Sequence, residues 1–259
     1  MKNEPAKQQR PNYSNLFEML NRQYHRLDPH HDTWELWIKS SKTAEEIFEV
    51  AIGTILVQNT NWRNVDRAIE NLYQANIHSF EDLTSLKSEK IEYLIKPAGF
   101  YKQKASYLQA LSRLLLSFSD LMLPPTRDTL LNCPGIGKET ADSILLYCFQ
   151  QPISVVGTYT RRFLARYHLK EVYLKLNYEK IQAEIQQELP RDSLVLGRFH
   201  ALIVVHCQNT CQKHDPKCDV CTLRSVCQYG MLFEEDPSRV RLQEKISHIK
   251  NRSVAKSPI

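Results

Sequence analysis

Apolar residues recur at helical spacing along most of the chain. Phe48, Ala51, Ile52 and Ile55 stand at i, i+3, i+4 and i+7, which is one face of a helix. Thr43 followed by Glu46 has the spacing of a capping box, so the helix is expected to start there. Gly53 falls inside it and predicts a close neighbour. Further helical pieces are expected near Asn64–Asn76, Ser88–Ile95 and Gln103–Phe118. Pro124-Pro125 breaks the pattern, and Thr126 can cap the next helix. Ala141, Ile144, Leu145 and Cys148 mark another helical face, and Asp192 can cap a helix carrying Phe199, Leu202, Ile203 and His206. No alternating strand pattern of useful length occurs, so the expected fold class is all-α.

Composition agrees with that reading. Glycine occurs only 7 times in 259 residues, and glycine is about 1 kcal/mol worse than alanine inside a helix. Apolar residues make up 42%, enough for a sizeable core. The longest apolar stretches fall far short of a membrane span, and the N-terminus MKNEPAKQQR has no apolar signal core. The expectation is a cytoplasmic protein with no membrane partner. A net charge of +5 is compatible with a polyanionic partner without specifying one. Residues 1–12 read as a polar arm. The basic tail from 231 to 259, with Arg239, Arg241, Lys245, Lys250, Arg252 and Lys256, reads as a solvated end or a nucleic-acid contact.

Two segments carry candidate chemistry. Cys211, Cys218, Cys221 and Cys227 fall as C-x6-C-x2-C-x5-C. A pair spaced by two residues can bind one centre from a tight turn, and the longer spacers let the chain wrap to supply two more thiolates. Such a set holds zinc or an iron–sulfur cluster, and the spacing leaves the choice open. Cys133, Cys148 and Cys207 lie in apolar stretches and read as small core residues. The second segment runs Thr129-Leu-Leu-Asn-Cys-Pro-Gly-Ile-Gly-Lys138. A short helix is expected to end at Asn132, with a tight turn at Gly135 and Gly137 and a new helix starting near Lys138. Bare glycine N–H groups and a positive helix N-terminus can grip a DNA phosphate without reading sequence. An ordinary helix–turn–helix corner is the plainer alternative.

Taken together, the turn and the cysteines resemble the helix–hairpin–helix DNA glycosylases of the endonuclease III superfamily. The resemblance runs from about Ile47 to Cys227. It rests on Ile55-Leu-Val-Gln-Asn-Thr60, Gly99-Phe-Tyr-Lys-Gln-Lys104, the hairpin, Val155-Val-Gly-Thr-Tyr-Thr-Arg161, and His206 followed five residues later by Cys211. The pieces GIGKETADSILLYC and QNTNW are most similar to the 3-methyladenine DNA glycosylase III branch, whose known members can lack the cluster. The resemblance implies a [4Fe–4S] cluster on the four cysteines. It also implies two helical domains with a DNA-binding cleft between them. The expected layout is an N-terminal arm and helix at 1–42 that packs with the C-terminal domain, a helical domain at 43–151 ending in the hairpin, and a cluster domain at 152–230. The implied partner is double-stranded DNA containing a damaged base, bound by a monomer, nucleoid-associated if bacterial. Gly135, Gly137 and Lys138 would hold the phosphate. Gln58 would fill the gap left when a damaged nucleotide rotates out, its plainer reading being a helix-end glutamine in solvent. Trp62, Trp34 and Tyr159 would offer faces to the base, with Trp37 nearby, and core burial is the alternative for each tryptophan. Lys213, Lys217 and Arg224 would form a basic edge to the DNA site.

Two positions depart from the family. Its acid, an Asp in a V-D-x motif after the hairpin, is replaced by Gly157. The lysine that forms a Schiff base in strand-cutting members is replaced by Glu139, and Lys138 is one residue early, turned by about 100° on a helix. Schiff-base lyase activity is therefore not expected. Glu139 is a candidate replacement carboxylate; otherwise it is a first-turn glutamate favoured by the helix dipole. Asp142, one turn on, reads as a solvated helix residue. The expected function is a monofunctional DNA N-glycosylase of base excision repair, acting on alkylated or otherwise damaged bases. The alternative is a catalytically impaired member that binds damaged DNA or abasic sites.

Overall fold

The computed structural model describes residues 12–25, 33–118 and 124–235. The polar arm at 1–11 and the basic tail from 236 onward lie outside them. Every regular element among the described residues is helical. The chain divides into two compact units.

The first unit, here the hairpin unit, holds 33–118, 124–155 and 190–198. The expected domain boundary at 42/43 is corrected by it: the short helix spanning 33–38 belongs here and not with the C-terminal helices. The reason is its two tryptophans. Trp34 and Trp37 are buried, and both rings contact Tyr147, at 6.2 and 5.2 Å between centroids. Residues 190–198 also join this unit. The Tyr147 hydroxyl donates to the Gly197 carbonyl (3.2 Å), and Ser193 Oγ donates to Gln150 (3.0 Å).

α1 (Tyr13–Gln23) belongs to the second unit and α2 (Thr33–Ile38) to the hairpin unit. α3 (Ala44–Leu56) begins at the capping box: Glu46 N–H donates to Thr43 Oγ1 (3.2 Å), and Thr43 N–H donates to the Glu46 carboxylate (2.8 Å). Phe48, Ala51, Ile52 and Ile55 are fully buried. The close neighbour of Gly53 is Trp37, whose ring would lie 2.9 Å from an added Cβ. α4 (Trp62–Gln74), α5 (Phe80–Ser85), α6 (Ser88–Leu94), α7 (Tyr101–Leu116), α8 (Arg127–Leu131) and α9 (Lys138–Tyr147) follow. α3 packs against α9 and α7, which places the end of α3 beside the α8–α9 turn.

The second unit, the cysteine unit, holds 12–25, 156–189 and 199–235. It contains α10 (Thr158–Tyr167), α11 (Tyr178–Glu188), the later part of α12 (Ser193–Asn209) and α13 (Gln228–Glu235). Asp192 caps α12, accepting from Leu194 and Val195 N–H at 2.8 and 3.0 Å. α1 is tied into this unit by Tyr13, whose hydroxyl donates to Glu184 (2.6 Å) and lies 3.1 Å from His168 Nε2.

Candidate nucleic-acid interface and metal centre

α8 is capped by Thr126 and ends at Asn132; the turn Cys133–Gly137 then leads into α9. Gly135 has φ +80, a region open mainly to glycine, and an added Cβ would stand 2.2 Å from the Tyr107 ring. Ile136 points inward and is buried. Gly137 is extended, forms the N-cap of α9 without a side-chain hydrogen bond, and faces open space. Lys138 and Glu139 are exposed in the first turn. The turn thus presents backbone, a helix N-terminus and a lysine to solvent, as phosphate binding requires.

Gln58 lies two residues past α3 and is half-buried. Its Nε2 donates to the Gly135 carbonyl (3.1 Å) and to Thr140 Oγ1 (3.2 Å). It is therefore not a helix-end side chain in solvent; it braces the hairpin turn against the loop after α3. Asn59 beside it has φ +55. Asp142 is corrected from a solvated residue to a fully buried one. Arg127 of α8 pairs with both its oxygens, at 2.6 and 3.0 Å, so the carboxylate stitches α8 to α9.

Trp62 is half-exposed and edge-on to Trp37 at 5.2 Å. Trp34 is buried in the same aromatic group, so its face is spent on packing, the core alternative. Tyr159 belongs to the cysteine unit, half-exposed, with the Arg162 guanidinium 5.1 Å above its ring. Gly157 is buried, extended at φ −93, and forms the N-cap of α10 with no side chain to offer.

Two residues of the Gly99–Lys104 motif received no role from the sequence. Phe100 is 64% exposed and left-handed at φ +47, at the N-cap of α7. Its sequence signal was its place in the motif Gly99-Phe-Tyr-Lys-Gln-Lys104, which assigned it no role. Lys104 is 2% exposed, on the apolar side of α7, and donates to the carbonyls of Leu56 and Ala98 at 2.8 Å each. Burial pushes its ammonium down to about 8.

In the cysteine unit, Cys211, Cys218, Cys221 and Cys227 line one cavity together with His206 and Arg166. The buried Arg166 guanidinium donates to the carbonyls of Cys211, Gln212 and Lys213 (3.3, 2.6 and 3.1 Å) and to Cys211 Sγ (3.3 Å). Arg162 donates to the carbonyls of Cys207 and Cys211 at 3.3 Å. The Cys207 thiol and the facing Arg166 hold Cys211 below the ordinary thiol range, whereas burial pushes Cys218 and Cys227 up to about 12. Such thiols lose their protons readily only to a bound cation. Among the described residues no three His, Cys, Asp or Glu side chains converge on a single ion position. Cys133, Cys148 and Cys207 are buried, as expected of core thiols. Lys213 and Lys217 are exposed, while Arg224 is half-buried and donates to the Asp219 carbonyl (3.4 Å).

Residues 52–191, more than half of the chain, match the family described as HhH-GPD superfamily base excision DNA repair protein. The chain belongs to this family. A Methanocaldococcus jannaschii relative that carries the name DNA repair glycosylase is 36% identical over 222 residues, covering 82% of this chain and 97% of the relative. Endonuclease III of Thermotoga maritima is 28% identical over 182 residues, 70% of this chain and 83% of the relative. The Helicobacter pylori 3-methyladenine DNA glycosylase MagIII, solved with 1,N6-ethenoadenine, superposes with a TM-score of 0.60 at 27% identity, over 74% of this chain and 96% of that one. An endonuclease III–DNA complex shares the fold at a TM-score of 0.69 and 19% identity, over 86% and 97%. The all-α glycosylase fold and a place in base excision repair are thereby established for this HhH-GPD member. No helix among the described residues is long and apolar enough to cross a membrane.

Proposed function

We propose that the protein is a monofunctional DNA N-glycosylase that releases alkylated or otherwise damaged bases from duplex DNA. Gly135, Gly137 and Lys138 hold a backbone phosphate. Gln58 leaves its bonds to the hairpin and enters the opened base step, and the exposed Phe100 acts as a second probe of the stack. Trp62 is the aromatic face best supported for the extruded base; a cationic alkylated base gains from such a face. Tyr159 is retained as a second face, and Lys213, Lys217 and Arg224 as a basic edge.

Hydrolysis breaks the bond from sugar C1′ to the base nitrogen, whose electron pair leaves with the base, and places a water oxygen on C1′. A cationic alkylated base departs neutral, and a neutral base departs as an anion that takes a proton from solvent. The sugar develops positive charge on the way, which a carboxylate stabilises while it takes the water proton. Glu139 is proposed for that role. The observation that carries this reading is its exposed carboxylate in the first turn of α9, where strand-cutting relatives are expected to hold a lysine. With no amine there, no Schiff base forms. The second reading, an impaired member that binds damaged DNA or abasic sites without releasing base, is favoured by Gly157, which offers no side chain at the family's acid position.

The four cysteines are proposed to hold a [4Fe–4S] cluster. The donor set fits: four thiols line one cavity, and a buried arginine aimed at Cys211 Sγ offsets thiolate charge. When bound, the cluster cross-links the loop and offers a one-electron centre. Arg162 and Arg166 orient the ligand backbone through its carbonyls.

The test is base release by the purified protein from duplexes carrying 3-methyladenine, thymine glycol or mismatched uracil. Glu139→Gln is expected to lower release at least 100-fold with DNA affinity retained. Full activity in Glu139→Gln overturns its role. No release by the unaltered protein, with release gained in Gly157→Asp, establishes the impaired reading in its place. Metal analysis of the same preparation should find iron with a visible absorption shoulder, and zinc would overturn the cluster.

A further inference from the structure

Lys104 is a buried cation whose ammonium has no carboxylate among its hydrogen-bond or ion-pair partners in the described residues. Burying an ammonium in that way costs free energy unless its donors are well placed. Its two acceptors are specific. One is Leu56 O, the final carbonyl of α3, at 2.8 Å; Gln58 follows two residues later. The other is Ala98 O at 2.8 Å; Phe100 again follows two residues later. The Lys104 backbone N–H also donates to the Phe100 carbonyl (3.0 Å), so the turn at 98–100 is gripped by side chain and main chain alike.

Both gripped segments are conformationally unusual. Asn59 has φ +55, Gly99 φ +70 and Phe100 φ +47. Left-handed non-glycine residues persist only where the surroundings over-determine them. A cation at the C-terminal end of α3 is favoured by the helix dipole and fixes where the loop after it departs. Gly99 N–H is held within its own short turn, by Lys96 O at 3.2 Å, and the Lys104 side chain connects this turn to the end of α3.

We propose that Lys104 is a positioning residue that fixes the Gln58 loop against the Phe100 turn, so that both side chains enter a DNA duplex as one unit. The inference rests on the roles given to Gln58 and Phe100 above. It assigns Lys104 no contact with DNA, base or sugar; it acts through two backbone carbonyls.

The experiment uses the full-length protein and a duplex holding a tetrahydrofuran abasic analogue with 2-aminopurine beside it. Fluorescence of the 2-aminopurine reports unstacking and involves no bond cleavage. Lys104→Met keeps the length of the side chain and removes its donors. It is expected to cut the fluorescence rise at least five-fold while changing affinity for undamaged duplex less than two-fold. In a Gln58→Ala/Phe100→Ala background, Lys104→Met should add no further loss, because it acts through those side chains. Lys104→Gln, which keeps donors but cannot reach both carbonyls, is the second variant should Lys104→Met fail to unfold cooperatively; it is expected to lose the rise likewise. A full rise in either variant overturns the proposal. So does a fall in undamaged-duplex affinity in step with the rise, or a further loss in the double-variant background. No rise with the unaltered protein would overturn both this proposal and the wedge reading of Gln58. A normal rise without base release would sink only the hydrolase reading.

Discussion

Lys104 shows how a single side chain departs from what its sequence position predicts. It sits among Ala105, Leu108 and Leu111 on a helix whose pattern reads as core, and a lysine in such a pattern is ordinarily assigned to the surface. What fixes it inside is the pair of orphan carbonyls at Leu56 and Ala98, which are far apart in sequence and therefore invisible to periodicity. Its burial has a consequence for stability. The folded state releases the proton near pH 8, whereas the unfolded chain holds it to the ordinary lysine value of 10.5. Between these values the unfolded state binds more protons, so this group makes stability rise with pH across that window. Thermal unfolding from pH 7.5 to 10 should show the contribution as a difference: Lys104→Met loses it. Equal pH profiles for the two proteins would contradict the burial of a charged Lys104. Asp142 is the same case with opposite charge: its carboxylate has zero exposure, and Arg127 on α8 pairs with it.

Elements were more legible than residues. The caps at Thr43, Thr126 and Asp192 all form as their spacing implied, because a capping bond depends only on residues three or fewer positions apart. The short helices α2 and α5, six residues each, escaped the pattern because they are too brief to show a period. The hairpin was legible as a turn, but its reason for glycine was only half visible. Gly135 is required by φ +80 and, separately, by the Tyr107 ring from α7. Gly135→Ala should therefore destabilise the protein by about 1–3 kcal/mol and weaken duplex binding with it. Gly137→Ala, facing open space at an ordinary φ, should cost far less stability. Equal melting temperatures for the two variants would show that the turn is not held against α7 as described.

At the scale of the molecule, the fold was legible almost entirely through motifs and very little through packing. The boundary expected at 42/43 failed because it placed a helix by its position in sequence, while Trp34 and Trp37 place it by what they bury against Tyr147. The site divides along the same line. The four cysteines and the hairpin were found from spacing, since each set is local. Phe100, Arg162 and Arg166 were not, since their meaning depends on exposure or on distant carbonyls. The family is settled by residues 52–191, and within it Gly157 and Glu139 stand where relatives are expected to hold an acid and a lysine. The most direct measurement is a single-turnover assay on duplexes carrying 3-methyladenine, thymine glycol or mismatched uracil, with each sample split between hot alkali and none, and a parallel sample treated with borohydride. A monofunctional glycosylase leaves strands that break only after alkali and forms no borohydride-trapped adduct. Strand breaks without alkali, a trapped protein–DNA adduct, or no alkali-labile site on any damaged duplex would contradict it.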